Sequence, residues 1–260
     1  MIKFFRKIRY NLMSENKTGK YFKYAIGEII LVVIGILIAL QINTWNNNKI
    51  DEKKEKEYLN NLIEDINIQK LLVNGQINHE SNMKLKCEKA LSHLNSASPN
   101  TDSLNIYLAN ITRKSFVINN PTFQDLKSSG NILLIKNNEL RKKVLSFYQY
   151  LDYIALVVQT SNEKSISEFR DFLLKNSVIN LNYKDSITVA ESVDWSLKSI
   201  DVPWAKTIQE KRLKNKESLL ILLNHISQRG RVSSVHLDLM QKMEKRIDDI
   251  QSDIETYLKS

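Results

Sequence analysis

Between Ala25 and Ile42 the chain reads AIGEIILVVIGILIALQI, eighteen residues with Glu28 as the only charge and twelve Ile, Leu or Val. As a helix rising 1.5 Å per residue, such a run is about 27 Å long, close to the roughly 30 Å hydrocarbon core of a bilayer. Twelve such side chains gain about 5 kcal/mol on insertion, which exceeds the roughly 2.5–3.5 kcal/mol that a charge costs at the bilayer centre. Glu28 lies near one end, where its cost is smaller. The pattern predicts a transmembrane helix over 24–43. A cleaved signal peptide would have a shorter apolar run and a small-residue cleavage site after it. The sequence continues instead as NTWNNN, and its one Cys, Cys87, is far away. The segment is expected to be an uncleaved signal anchor.

Beyond the span the period becomes that of an amphipathic helix. Leu59, Ile66, Val73, Cys87 and Leu94 recur at multiples of seven, flanked by Leu62, Ile63, Ile77, Met83 and Leu91. This predicts a helix from about Ile50 to Ser96, its stripe interrupted at Glu80 and softened at Gly75. Turn residues at 97–102 end it, and a short helix is expected over 103–114. Asn120-Pro121 reads as a cap followed by Pro at the first helical position, and Ser129-Gly130-Asn131 as a glycine stop, giving a two-turn helix over 121–128. Asn137 or Asn138 starts a long helix with the stripe Leu140, Val144, Tyr148, Leu151, Ala155 and Val158, resuming at Phe169, Phe172 and Leu173. Alternation of Ile179, Leu181 and Tyr183 with Asn180 and Asn182 allows a small β-hairpin near 178–190. After Pro203-Trp204 the helical period returns and runs to Tyr257. The expected fold is all-α: one N-terminal transmembrane helix, then an antiparallel helical bundle over 44–260. Six Gly and three Pro in 260 residues agree with that and exclude a turn-rich sandwich or barrel.

The net charge of +9 changes meaning when it is located. Residues 1–23 carry seven bases (Lys3, Arg6, Lys7, Arg9, Lys17, Lys20, Lys23) against Glu15, whereas the far flank balances Lys49, Lys53, Lys54 and Lys56 with Asp51, Glu52, Glu55 and Glu57. A basic excess in a tail beside an apolar run reads as topology and anionic lipid, so no nucleic-acid partner is expected. The positive-inside rule places residues 1–23 in the cytoplasm and 44–260 in the periplasm, with the span in the inner membrane. Phe4, Phe5, Ile8 and Leu12 share one arc of a wheel opposite the bases, which allows the tail to lie in the interface as an amphipathic helix.

Candidate chemistry is sparse. His79, His93, His225 and His236 form no metal-ligand spacing with one another or with Cys87, so neither metal nor cofactor is expected. No Gly-rich phosphate loop or G-x-S-x-G occurs. The S-x-x-K pairs Ser14/Lys17, Ser81/Lys84 and Ser161/Lys164 are as many as composition alone predicts. No enzymatic activity is expected.

Several stretches carry a resemblance. FFRKIR, then GKYFKYAIGEIILVVIGILIALQIN with Trp45, and the internal blocks TFQDLKSSGNILLI and NNELRKKVLSFY, resemble a domain-of-unknown-function family of Bacteroidota single-span membrane proteins. Thr44 stands where that pattern implies Asn. The resemblance implies a signal anchor and a helical exported domain, and no activity, cofactor or catalytic residue.

Two groups of residues are candidate contacts. Gly27, Glu28, Gly35 and Ala39 are candidates for helix association inside the membrane, Gly27, Gly35 and Ala39 lying at four-residue steps on one face, which allows a homodimer through the span. Gln124, Asp125, Lys127, Ser128, Ser129 and Asn131 form a candidate polar rim of a docking cleft, while Phe123, Leu126 and Ile132 to Ile135 read as a plug for one end of the bundle. The leading functional expectation is a membrane-anchored periplasmic module that binds a protein partner or ligand, as a sensor-like protein or complex subunit. The alternative is a structural envelope scaffold or assembly factor, with a hidden enzyme third.

Overall fold

The computed structural model describes residues 10, 18–96, 99, 101–109, 111–176 and 203–260. The hairpin expected near 178–190 and most of the basic tail lie outside them. Among the described residues every regular element is helical. Helix α1 runs from Thr18 to Leu94, 77 residues without a break. The sequence pattern led us to expect a span and a separate helix from Ile50; instead the two are one element. The linking stretch NTWNNNK contains neither Gly nor Pro, and an Asn costs a helix only about 0.7 kcal/mol. Nothing there stops the helix.

Contacts divide the chain into two units, 1–57 and 58–260. In the first unit no residue of the apolar stretch beginning at Ala25 is buried, and α1 is long and apolar enough to cross a membrane.

The second unit is a helical bundle. After α1 come α2 (Thr101–Ala109), α3 (Pro121–Ser128), a 3₁₀ turn (Asn131–Leu134), α4 (Asn138–Ser161), a π-helical turn (Asn162–Ile166), α5 (Ser167–Asn176), α6 (Pro203–Lys214) and α7 (Lys216–Lys259). Helix α7 runs antiparallel to both long neighbours. Lys70 on α1 meets Asp248 at 2.7 Å, while Glu80 meets Arg229. On α4, Lys143 meets Asp253 at 2.6 Å and Tyr150 lies under Arg246. The stripe on α4 is buried as expected except at Ala155, which is half-buried; Ile154 is the core residue there.

The helix expected over 103–114 ends at Ala109. Residues 111–120 are not helical, because side chains of α1 take over their backbone hydrogen bonds. Met83 Sδ accepts from the Thr112 amide, Gln76 donates to the Lys114 carbonyl, and Gln69 donates to Val117 O while accepting from the Asn119 amide. Asp65 accepts from the Thr122 amide at 2.9 Å. That last bond replaces the expected cap of α3, since Asn120 makes no side-chain cap bond. A partly buried strap thereby satisfies polar groups that would otherwise cost about 1–3 kcal/mol each.

The stop after α3 is as the sequence predicted: Gly130 has φ 75°. A Cβ there would meet no atom within 4 Å, so only the backbone resists substitution. Gly130→Val is expected to cost about 1–2 kcal/mol in urea titrations, and Gly130→Asn much less. Asn137 caps α4 by accepting from the amides of Glu139 and Leu140. Asn137→Ala should cost about 1 kcal/mol.

Candidate functional site

Glu80 interrupts an apolar stripe, so the helix turns a carboxylate into the bundle, and α7 supplies what surrounds it. Along α7 the buried positions run Leu222, Ile226, Arg229, Val232, Ser233, His236, Met240 and Met243; three polar residues interrupt an otherwise apolar face. Arg229 Nη1 donates to Glu80 Oε2 at 3.1 Å, Ser233 Oγ donates to the same oxygen at 3.0 Å, and His236 Nδ1 lies 3.2 Å from Oε1. Gln76 Nε2 also donates to Oε1. The Arg229 and Glu80 side chains are 1% and 0% exposed.

The network continues into the strap. Arg229 Nη2 donates to Thr112 O, and the Lys114 carbonyl accepts from both Gln76 and Asn162, the first residue of the π turn. Burial alone would raise the Glu80 pKa, but the His236 hydrogen bond and the charges of Arg229 and His236 outweigh it and hold the carboxyl at about 2. Burial lowers the pKa of half-buried His79 and pushes the Cys87 thiol up to about 11.

Ser, His and Glu are the residue types of a hydrolytic triad, but here the carboxylate stands between the other two. Ser233 gives its hydrogen bond to Glu80. A nucleophile would need the imidazole as its acceptor. The arrangement joins helices and does not activate Ser233. Among the described residues no group of three His, Cys, Asp or Glu could hold a metal ion.

The candidate rim gathers around Tyr58. Its hydroxyl donates to Asp125 at 2.7 Å and accepts from Asn131 Nδ2 at 2.9 Å. The Ser128 and Ser129 hydroxyls donate to the Asp125 carbonyl. Four of the six rim residues are thus held by local bonds, while Gln124 and Lys127 lie exposed on α3. Of the expected plug, Phe123, Leu126 and Ile135 are in the core, with Phe123 stacked on Tyr148. Leu133 is a correction: it is 71% exposed, because the 3₁₀ turn rotates it away from its neighbours. In the span, Gly27, Gly35 and Ala39 are exposed and Glu28 is half-buried. A Cβ on either glycine would touch nothing within 4 Å, so no packing in this chain requires them.

The Family of unknown function (DUF6090) matches residues 28–200, about two thirds of the chain. The chain belongs to DUF6090. No curated protein and no solved structure matches it. The DUF6090 match takes in the rim, Gln76, Glu80 and Asn162 but stops short of Arg229, Ser233 and His236. The polar cluster is therefore built from both sides of the DUF6090 boundary.

Sequence reading did not single out this cluster. Its signal was present as two matching gaps, one at Glu80 on α1 and one at 229–236 on α7, each in a stripe otherwise apolar.

Proposed function

We propose that the protein is a single-span inner-membrane protein of the Bacteroidota type, with residues 1–23 cytoplasmic and a non-catalytic periplasmic bundle that docks a protein partner as a complex subunit or sensor-like module. The observation that carries the docking reading is Leu133, a large apolar side chain exposed beside the exposed polar residues Lys127, Ser128 and Ser129. Apolar residues inside a polar rim are where binding energy concentrates. The rim is also preorganised, since Tyr58 and Asp125 hold its polar groups before any partner arrives. The wholly exposed apolar stretch of α1 supports a lipid bilayer as the first partner. Gly27, Gly35 and Ala39, small and exposed along α1, support a helix contact in that bilayer, a second copy of the chain included.

Two experiments test this reading. A phosphatase active only outside the cytoplasm, fused after Ser260, is expected to be active, and a fluorescent protein that folds only inside is expected to be dark there; the opposite pair reverses the topology. A photo-crosslinker placed at Gln124 in native membranes is expected to give one stoichiometric adduct, lost in Lys127→Ala and Leu133→Asp. An adduct unchanged in both variants removes the docking reading, and a broad distribution of weak adducts favours a scaffold.

A further inference from the structure

The apolar interior of the bundle is interrupted. A proximal cluster uses α1 up to Ile77, α4 up to Val158 and α7 from Leu239 onward. A distal cluster starts at Cys87 on α1 and Phe169 on α5, and ends at Ile226 on α7. On every long helix the gap between the clusters is where the polar network lies: Glu80 on α1, Asn162 after α4, and Arg229, Ser233 and His236 on α7.

We propose that the bundle parts at this polar layer, the distal half opening as a unit while the proximal half stays folded, which gives the protein a second conformational state.

Four observations converge on this. The buried apolar residues at the layer, Met83, Ile166 and Val232, belong to neither cluster, so the halves are coupled largely through polar bonds, which water can replace on opening. Among the described residues the proximal cluster has nineteen buried members and the distal one nine, so the described part of the distal half has less burial to lose. Arg229 Nε, His236 Nε2 and Asn162 Oδ1 are buried in the layer with no partner among the described residues; each regains solvent when the layer opens, which makes opening less costly. Finally, although α1 and α7 cross the layer as continuous helices, one crossing is the π-helical turn Asn162–Ile166, a local irregularity where a helix can change direction without losing its whole ladder. Each half also has its own ties. The amides of Asn105 on α2 and Gln209 on α6 bond each other reciprocally in the distal half. Lys70–Asp248 and Lys143–Asp253 hold the proximal one.

Cys87 reports on this directly. It is the only cysteine of the chain, 1% exposed, at the edge of the distal cluster where α7 comes close at Gly230. The experiment uses the full chain in lipid nanodiscs, comparing thiol labelling of Cys87 with amide exchange over Met243–Ile250 on the same samples, at urea concentrations below the unfolding transition. The expected opening constant for Cys87 is at least tenfold larger than that for the proximal amides, with a shallower urea dependence. Ser233→Ala, which removes one donor to Glu80 with little change of volume, is expected to speed Cys87 labelling about tenfold and leave the proximal exchange unchanged. Equal opening constants and equal urea slopes at the two places overturn the proposal. So does a Ser233→Ala variant that speeds both by the same factor.

Discussion

Glu80→Leu alone is expected to lower the stability of the bundle by about 3–5 kcal/mol, because it leaves a buried cation with no counter-charge. Arg229 is almost fully enclosed, and its remaining bonds would go to Ser233 and the Thr112 carbonyl, neither of them charged. The change also removes the acceptor of Ser233 and His236. The double variant Glu80→Leu/Arg229→Met should recover much of the loss, since apolar replacement of a buried pair is often close to neutral. Urea titrations of the three proteins check this, and a double variant as unstable as the single one would show that the pair is not what matters. The same carboxylate sets an acid limit. Its pKa falls from 4.5 to about 2 on folding, so its contribution is fully present above about pH 4.5 and is lost as pH falls toward 2, at most about 3 kcal/mol. The groups around it are Arg229, His236, Ser233, Gln76 and neighbouring His79. In Glu80→Gln this part of the acid dependence should vanish.

The second large effect is expected at Leu126→Asp. Leu126 is 0% exposed and lies in the proximal core with Phe123 and Ile135. A carboxylate there has no cation to meet and must either stay charged in an apolar setting or take up a proton, so a loss of about 4 kcal/mol is expected. Leu133→Asp, seven residues away, should stay within about 0.5 kcal/mol because the side chain is already in water. The pair is best measured on residues 46–260 without the span, which should be soluble and melt cooperatively. Equal losses in the two variants would contradict the burial that separates them.

Much of the fold was legible in the sequence because periodicity reports which face is buried. The long apolar stretch of α1, α3 between Pro121 and Gly130, the cap at Asn137 and the stripe of α4 all follow from local rules. What was not legible depends on distant residues. The helix after Thr101 stops early because Met83 and Gln76 compete for its backbone, and α3 is capped by Asp65 from another helix. The continuity of α1 through Asn46 to Asn48 shows that weak helix formers without Gly or Pro need not end a helix. The polar layer needed two gaps to be matched across 149 residues, Glu80 with Arg229. Each gap alone looked like an imperfect stripe. At the candidate rim, the exposure of Leu133 required the geometry of the turn.

The strap over 111–120 is recognised through its main chain. Gln69, Gln76 and Met83 bond its amides and carbonyls, while the side chains of Arg113, Lys114, Ser115 and Val117 are exposed. A backbone carries the same groups whatever its sequence. Main-chain recognition leaves Arg113, Lys114, Ser115 and Val117 free to vary, except that proline would delete an amide in use at 112 or 119, whereas Phe116 and Ile118 pack against the proximal core and the Asn119 side chain donates to the Asp65 carbonyl. In the same way, this face of α1 is a template on which a foreign extended peptide could be grafted in place of the native one.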